Sequence, residues 1–153
     1  MIRNSRFAVS VIFTVNGAVF GTWASRIPAV SDFHNLSPAA LGLLIFLMGF
    51  SAVIAFSVFG RAADRYGAST LTKRTTSLLI PLTLIFIAFA NSVWILIPAL
   101  IFFGAIHGGV DVAMNAWAVE VERKDNRPLM SSFHGMWSLG SAIGAGSGVL
   151  ATY

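Results

Sequence analysis

Five apolar runs, each long enough to cross a lipid bilayer, constrain this chain more than any other feature of its sequence. A helix needs about 20 apolar residues to span the hydrocarbon core. With 56% hydrophobic and 10% charged residues, the chain carries more apolar surface than one soluble core of 153 residues can hide. We therefore predict an all-α membrane protein, a bundle of five transmembrane helices at residues 7–25, 39–60, 75–91, 93–119 and 130–152.

The basic residues are distributed unevenly between the two ends of these runs. Short cytoplasmic connections collect Lys and Arg, and nine of the ten basic residues fall on one side, with Arg26 alone on the other. This distribution predicts a cytoplasmic N-terminus in the inner membrane, and it is not that of a nucleic-acid-binding patch. A cleaved signal is the alternative for the first run, although Thr22-Trp23-Ala24 lacks a cleavage pattern and Pro28 is expected to end the helix.

Several kinds of chemistry have no support in this sequence. The absence of Cys removes disulfides, thiolate metal sites and cysteine nucleophiles. There is no H-x-x-x-H metal pair, no G-x-S-x-G elbow and no phosphate-binding glycine loop. We therefore expect neither an enzyme nor a cofactor.

A short motif with the pattern G-x-x-x-D-R-x-G follows the second run and is formed by Gly60, Asp64, Arg65 and Gly67. The first glycine lets the helix end approach a neighbour, the carboxylate can cap a helix or pair with an arginine, and the second glycine permits a tight reversal. This combination predicts a loop that latches two helices. The alternative is a basic loop with an incidental Asp-Arg pair.

The motif resembles the signature loop between helices two and three of the major facilitator superfamily, and it stands after the span where that family requires it. The family's basic pair is displaced here to Lys73-Arg74. The resemblance implies that Asp64 and Arg65 stabilise an outward-facing state across the interface of two six-helix halves. Residues 1–153 would then be an incomplete N-terminal half, which is expected to insert without transporting and to need a C-terminal half or other subunits.

Three further features resemble the fucose-permease-like branch of sugar and proton symporters: residues 23–28 closing the first helix, residues 36–38 opening the second, and Asp111-x-x-x-Asn115 in the fourth. The resemblance implies that Asp111 and Asn115 handle protons or a sugar-like solute. Members of this branch also tend to carry an acid in the first helix, and residues 7–27 contain none. Proton coupling therefore stays open.

Polar side chains also recur on one face of the fourth run, where His107, Asp111 and Asn115 are spaced four residues apart. A carboxylate in such a segment is expected to face a protein interior or a wet cavity, where it usually handles ions, protons or substrate. Asn115 and His134 both lie about 6 Å from the cytoplasmic ends of their predicted spans. We therefore predict that Asp111, Asn115 and His134 line one cavity on the cytoplasmic side, with Trp137 beside His134 able to stack on a ligand ring.

For other polar residues the sequence allows either a structural role or a role in binding substrate. Asn16 is either an interhelical hydrogen-bonding residue or a partner for substrate hydroxyls, and both histidines can instead donate to backbone carbonyls. Three acids are expected to mark a solvated loop: Glu120, Glu122 and Asp125.

Glycines spaced four apart allow close helix contact, and we expect them to pack neighbouring helices rather than to form a dedicated dimer motif. They are Gly17, Gly21, Gly104, Gly108, Gly140, Gly144 and Gly148. The leading prediction is the N-terminal part of a secondary active or facilitative transporter for a small solute. The alternative is a membrane assembly protein whose intramembrane acid specifies partner helices.

Overall fold

The computed structural model describes residues 2–150, with side chains from residue 4 onward. Over this range the chain is entirely helical apart from short connections and contains no strand. Its elements are α1 (Ile2–Phe33), α2 (Pro38–Tyr66), α3 (Ala68–Arg74), a π-helical turn (Thr75–Leu79), α4 (Ile80–Ala88), α5 (Val93–Asp125) and α6 (Met130–Leu150). The predicted all-α class is confirmed. The side chain of Arg3 and the end of the fifth predicted span, 151–152, lie outside the described residues.

Four segments among the described residues are long and apolar enough to cross a membrane. They are Asn4–Phe33, Pro38–Tyr66, Ala68–Ala88 and Val93–Asp125. The fifth predicted span forms the continuous helix α6 but is not in this group, because glycines and serines occupy many of its positions.

The end of α1 differs from the sequence prediction. Pro28 lies inside this helix, which continues to Phe33, so the prediction that Pro28 ends it is wrong. Proline lacks one N–H and therefore removes a single bond to the carbonyl four residues earlier, which a helix of this length tolerates. Pro98 is likewise internal to α5.

The third predicted span also begins earlier than expected. A continuous helical stretch runs over Ala68–Ala88 instead of residues 75–91. Hydroxyl groups in it donate back to the helix, from Thr72 to the Ala68 carbonyl and from Thr75 to the Leu71 carbonyl, both at 2.8 Å. Because these polar side chains find acceptors within their own helix, they continue it instead of ending it.

The glycine motif is mostly helical. Residues 60–66 form the last turns of α2, and only Gly67 separates α2 from α3, so the prediction of a loop is wrong for most of the motif. Gly67 has φ 84°, and its N–H donates to the Ala63 carbonyl at 2.9 Å. A positive φ is readily reached by glycine, which explains why the reversal occurs at this residue.

The chain divides into two compact units. The first consists of Met1–Ile27 together with Met114–Tyr153, and the second of Pro28–Ala113.

In the first unit α1 and α6 pack in parallel with their backbones in contact. A methyl group on Gly17 would overlap the Trp137 carbonyl oxygen, and one on Gly144 would overlap that of Ala18. The Ser141 hydroxyl donates to the Gly17 carbonyl at 3.0 Å. The predicted role of these glycines in helix packing is confirmed.

In the second unit α2 packs closely against α5 at glycine positions of α5. A methyl group on Gly104 would overlap the carbonyl oxygen of Met48, and one on Gly108 would lie 2.6 Å from the Ala52 methyl. The Ser51 hydroxyl reaches the Ile101 carbonyl at 2.8 Å. Glycine thus permits backbone contact in this unit as well.

Candidate functional site

Two of the predicted site residues meet in the first unit. Trp137 on α6 donates its indole Nε1–H to the Oδ1 of Asn16 on α1, with 2.9 Å between the atoms. The Phe20 ring packs near the Trp137 ring, with centroids 5.7 Å apart. Asn16 is fully buried. The interhelical interpretation of Asn16 is therefore confirmed for its oxygen atom.

The same hydrogen bond fixes the orientation of the Asn16 amide. An indole N–H can only donate, so the amide oxygen must face Trp137 and the NH2 group must point elsewhere. The Asn16 Nδ2 is buried and has no hydrogen-bond partner among the described residues. A buried donor without an acceptor costs about 1–3 kcal/mol. The NH2 group of Asn16 is therefore a buried donor without an acceptor among the described residues.

His134 lies one turn before Trp137 on α6, and it is exposed. Its ring stands edge-on to the buried ring of Phe13 on α1, at 5.4 Å between centroids and an interplanar angle of 89°. The Phe133 ring also contacts Phe13, at 5.6 Å. Aromatic contacts on one side thus orient His134.

The remaining polar stripe lies on α5. His107, Asp111 and Asn115 are all half-buried, and the His107 ring is stacked on that of Phe103 with centroids 5.4 Å apart. The first two belong to the second unit and Asn115 to the first. A common cavity for Asp111, Asn115 and His134 stays a prediction. α5 continues past the predicted span 93–119 to Asp125.

The charged residues of the glycine motif are exposed. Arg65 holds its guanidinium carbon 5.3 Å from the centroid of the Tyr66 ring. Asp64 lies near the C-terminal end of α2, and no side chain caps the start of α3, which follows it. Among the side chains of residues 4–150, Asp64 forms no ion pair. Arg65 is in the last turn of α2, where a positive charge is favoured by the helix dipole.

Sequence reasoning missed the roles of two acids near the end of α5. The Oε2 of Glu122 accepts from the backbone N–H groups of Leu129 at 2.5 Å and Met130 at 2.8 Å, so it caps the start of α6. Asp125 pairs with Arg6 on α1 at 3.3 Å. The expectation that these two acids only mark a solvated loop is therefore wrong. The third acid, Glu120, is exposed but lies within helix α5, not in a loop. No local capping pattern reveals an acid that caps a helix from the preceding one.

Glu122→Ala is expected to loosen the first turn of α6, because two N–H groups lose their acceptor. The loss of a cap is worth about 1 kcal/mol, which corresponds to roughly fivefold faster amide exchange. Hydrogen exchange of residues 129–133 in micelles measures it. Glu120→Ala, an exposed acid on the same helix, is the control. Equal exchange in the two variants would contradict the capping role.

Long apolar helices with a few polar side chains between them define the class of this chain, which is an integral membrane protein of α-helical type. The sequence profile of the Major Facilitator Superfamily matches residues 2–153. The chain therefore belongs to the major facilitator superfamily.

Relatives with curated names agree with this assignment. An uncharacterized transporter, y4wD, of Sinorhizobium fredii is 42% identical over 94% of this chain and 38% of its own length. An uncharacterized transporter of the same superfamily type from Yersinia pestis is 32% identical over 94% of this chain and 37% of its length. The membrane protein MosC of Rhizobium meliloti is 31% identical over 90% of this chain and 33% of its length. The chain thus spans between a third and two fifths of these relatives, and no solved structure matches it.

Proposed function

We propose that this chain is the N-terminal part of a secondary active or facilitative transporter for a small polar solute, working by alternating access. The observation that carries the proposal is the superfamily match over residues 2–153, together with two relatives that are named transporters. In such folds the binding site lies at the interface between two structural repeats. We propose that the remaining length of the relatives corresponds to the second half, and that residues 1–153 alone insert without transporting.

Within this proposal, Asp111 and Asn115 handle protons or substrate on α5. Support comes from the position of a half-buried carboxylate in a helix apolar enough to span a membrane. We propose that His107 and His134 belong to the same site.

Asn16 and Trp137 complete the proposed site. Trp137 uses its N–H on Asn16, so its ring is the part left for a ligand, and the fully buried Asn16 contributes by holding the indole in place. A sugar-like solute, as in the fucose-permease-like branch, has an apolar face that fits this ring.

The proposed orientation places the N-terminus in the cytoplasm and the protein in the inner membrane. It rests on the nine basic residues that share one side of the predicted spans. On that side Asp64 and Arg65 at the end of α2 are exposed, and we propose that they bind across the two halves in the outward-facing state. Symport with protons is part of the same proposal.

Asp111→Asn tests the transport function in the complete reading frame that contains these residues. A charge-assisted hydrogen bond is worth about 1.5–3 kcal/mol, so the initial rate of uptake should fall about tenfold or more. Uptake of a panel of radiolabelled monosaccharides into cells measures it, with membrane abundance determined in parallel. Glu120→Gln, the same change at an exposed acid of α5, is the control.

The possible outcomes separate transport from assembly. Normal abundance with lost uptake supports a role of Asp111 in transport. Unchanged uptake in Asp111→Asn would contradict that role. Loss of the folded protein from the membrane would instead favour an assembly function for the acid.

A further inference from the structure

The membrane-length segment Ala68–Ala88 is not one regular α-helix. Between α3 and α4, residues Thr75–Leu79 form a π-helical turn, in which an N–H group donates to the carbonyl five residues earlier instead of four. The Ile80 N–H accordingly donates to the Thr75 carbonyl. Turns of this kind are rare, and they are among the few recognised causes of a sharp bend in a helix. The helix therefore changes its hydrogen-bond register near the middle of this segment.

Pro81 leaves one carbonyl of this turn without a donor from its own helix. The Thr76 carbonyl would accept from residue 80 in an α-helix or from residue 81 in a π-helix. The Ile80 N–H is used by Thr75, and proline has no N–H. The Thr76 hydroxyl is buried and has no hydrogen-bond partner among the described residues. The turn is consequently held by fewer hydrogen bonds than a regular helix of the same length.

Hydroxyl groups next to the turn bond within their own half of the segment. The Thr75 hydroxyl shares one hydrogen between the carbonyls of Leu71 and Thr72, at 2.8 and 3.1 Å. The Thr83 hydroxyl donates to the Ile80 carbonyl at 2.7 Å. Bonds of this type often bend a helix. None of them joins α3 to α4, so each half is stabilised internally and the turn alone connects the two.

We propose that the π-helical turn is a hinge at which α4 bends relative to α3. Pro81 is the second residue of α4, and the first turn is where a helix tolerates proline, so α4 has the local pattern of a helix that starts anew. Bending at this point breaks few bonds, because the Thr76 carbonyl has no helical bond to lose. The inference concerns one segment of one unit and does not depend on which solute the protein transports.

Pairs of spin labels measure this bending in the full chain, because its sequence contains no Cys that would also be labelled. One pair is introduced by Thr70→Cys and Ile85→Cys, at exposed residues of α3 and α4. The control pair is introduced by Leu43→Cys and Val58→Cys, at exposed residues of α2 with the same separation in sequence. Each pair would be about 22 Å apart along a straight helix.

Pulsed electron paramagnetic resonance in neutral maltoside micelles gives the distance distribution of each pair. The pair that flanks the turn should have a distribution about twice as wide as the control pair, because only its helix contains a hinge. Equal widths of the two distributions would overturn the proposal. This comparison uses the native proline and turn, so it does not depend on how any proline variant folds.

Pro81→Ala restores the missing N–H group and should narrow the distribution of the first pair to the width of the control pair. Pro98→Ala is the matched substitution, since Pro98 is internal to α5, which is α-helical throughout. It should leave the distribution of the first pair unchanged. An unchanged width in a folded Pro81→Ala variant would also contradict the hinge. Tryptophan fluorescence verifies that each variant is folded.

Discussion

Replacing Gly144 by alanine is expected to destabilise the pairing of α1 with α6 by about 3 kcal/mol. The added methyl group would overlap the carbonyl oxygen of Ala18. No rotamer change can relieve this contact, because the backbone fixes the position of an alanine methyl and the carbonyl oxygen is itself a backbone atom. The helices must therefore move apart, which also weakens the hydrogen bond from the Thr22 hydroxyl to the Gly144 carbonyl, at 3.3 Å in the intact protein.

Gly146→Ala is a matched control for this change. Gly146 is on the same helix, and a methyl group there would meet no atom within 4 Å. Alanine favours a helix over glycine by about 1 kcal/mol, so the control should be equally or more stable. Unfolding in mixed micelles with increasing SDS, followed by tryptophan fluorescence, gives both free energies. Equal stability of the two variants would show that α1 and α6 are not in backbone contact.

The second large effect is expected for Gly104→Ala in the other unit. Its methyl group would overlap the carbonyl oxygen of Met48 and lie 2.6 Å from the Ser51 hydroxyl oxygen. That hydroxyl has a single hydrogen to share between two acceptors, the Met48 carbonyl at 2.7 Å and the Ile101 carbonyl at 2.8 Å. Overpacking by one carbon atom and disruption of these bonds should together lower the free energy of unfolding by about 2–3 kcal/mol.

Gly49→Ala provides the comparison, since a methyl group at Gly49 of α2 would meet no atom within 4 Å. Thermal aggregation in maltoside micelles is a suitable measurement for both variants. Gly104→Ala should aggregate at a clearly lower temperature than the wild-type protein, and Gly49→Ala should not. If Gly104→Ala were as stable as Gly49→Ala, the packing of α2 against α5 described above would be wrong.

The sequence was informative where one physical requirement dominates. Apolar runs of membrane length predicted the helices, and glycines four apart predicted backbone contacts such as that of Gly144 with Ala18. Helix boundaries were harder to predict, because Pro28 and Thr72 are compatible with a continuing helix when enough other bonds are present. Local sequence patterns therefore predict most of the α-helical segments but not all of the residues at which they begin and end.

The candidate site was predictable as a set of residue types, not as a set of contacts. Asn16 and Trp137 are 121 residues apart, and no spacing rule pairs them. Glu122 caps the following helix from across a connection, which a search for local capping residues does not detect. Asp111 was found because a carboxylate among apolar residues stands out from its neighbours.

The parallel packing of α1 against α6 affects the order in which the chain can fold during synthesis. Helix α1 leaves the ribosome before α6, because Trp137 follows Asn16 by 121 residues in the chain. At a synthesis rate of about 5–20 residues per second, this delay is on the order of ten seconds. During that interval the side-chain Oδ1 of Asn16 has no indole N–H to accept from. The glycine-containing face of α1 is then open to lipids or insertion factors. The nascent chain can therefore close its first unit only as a late step.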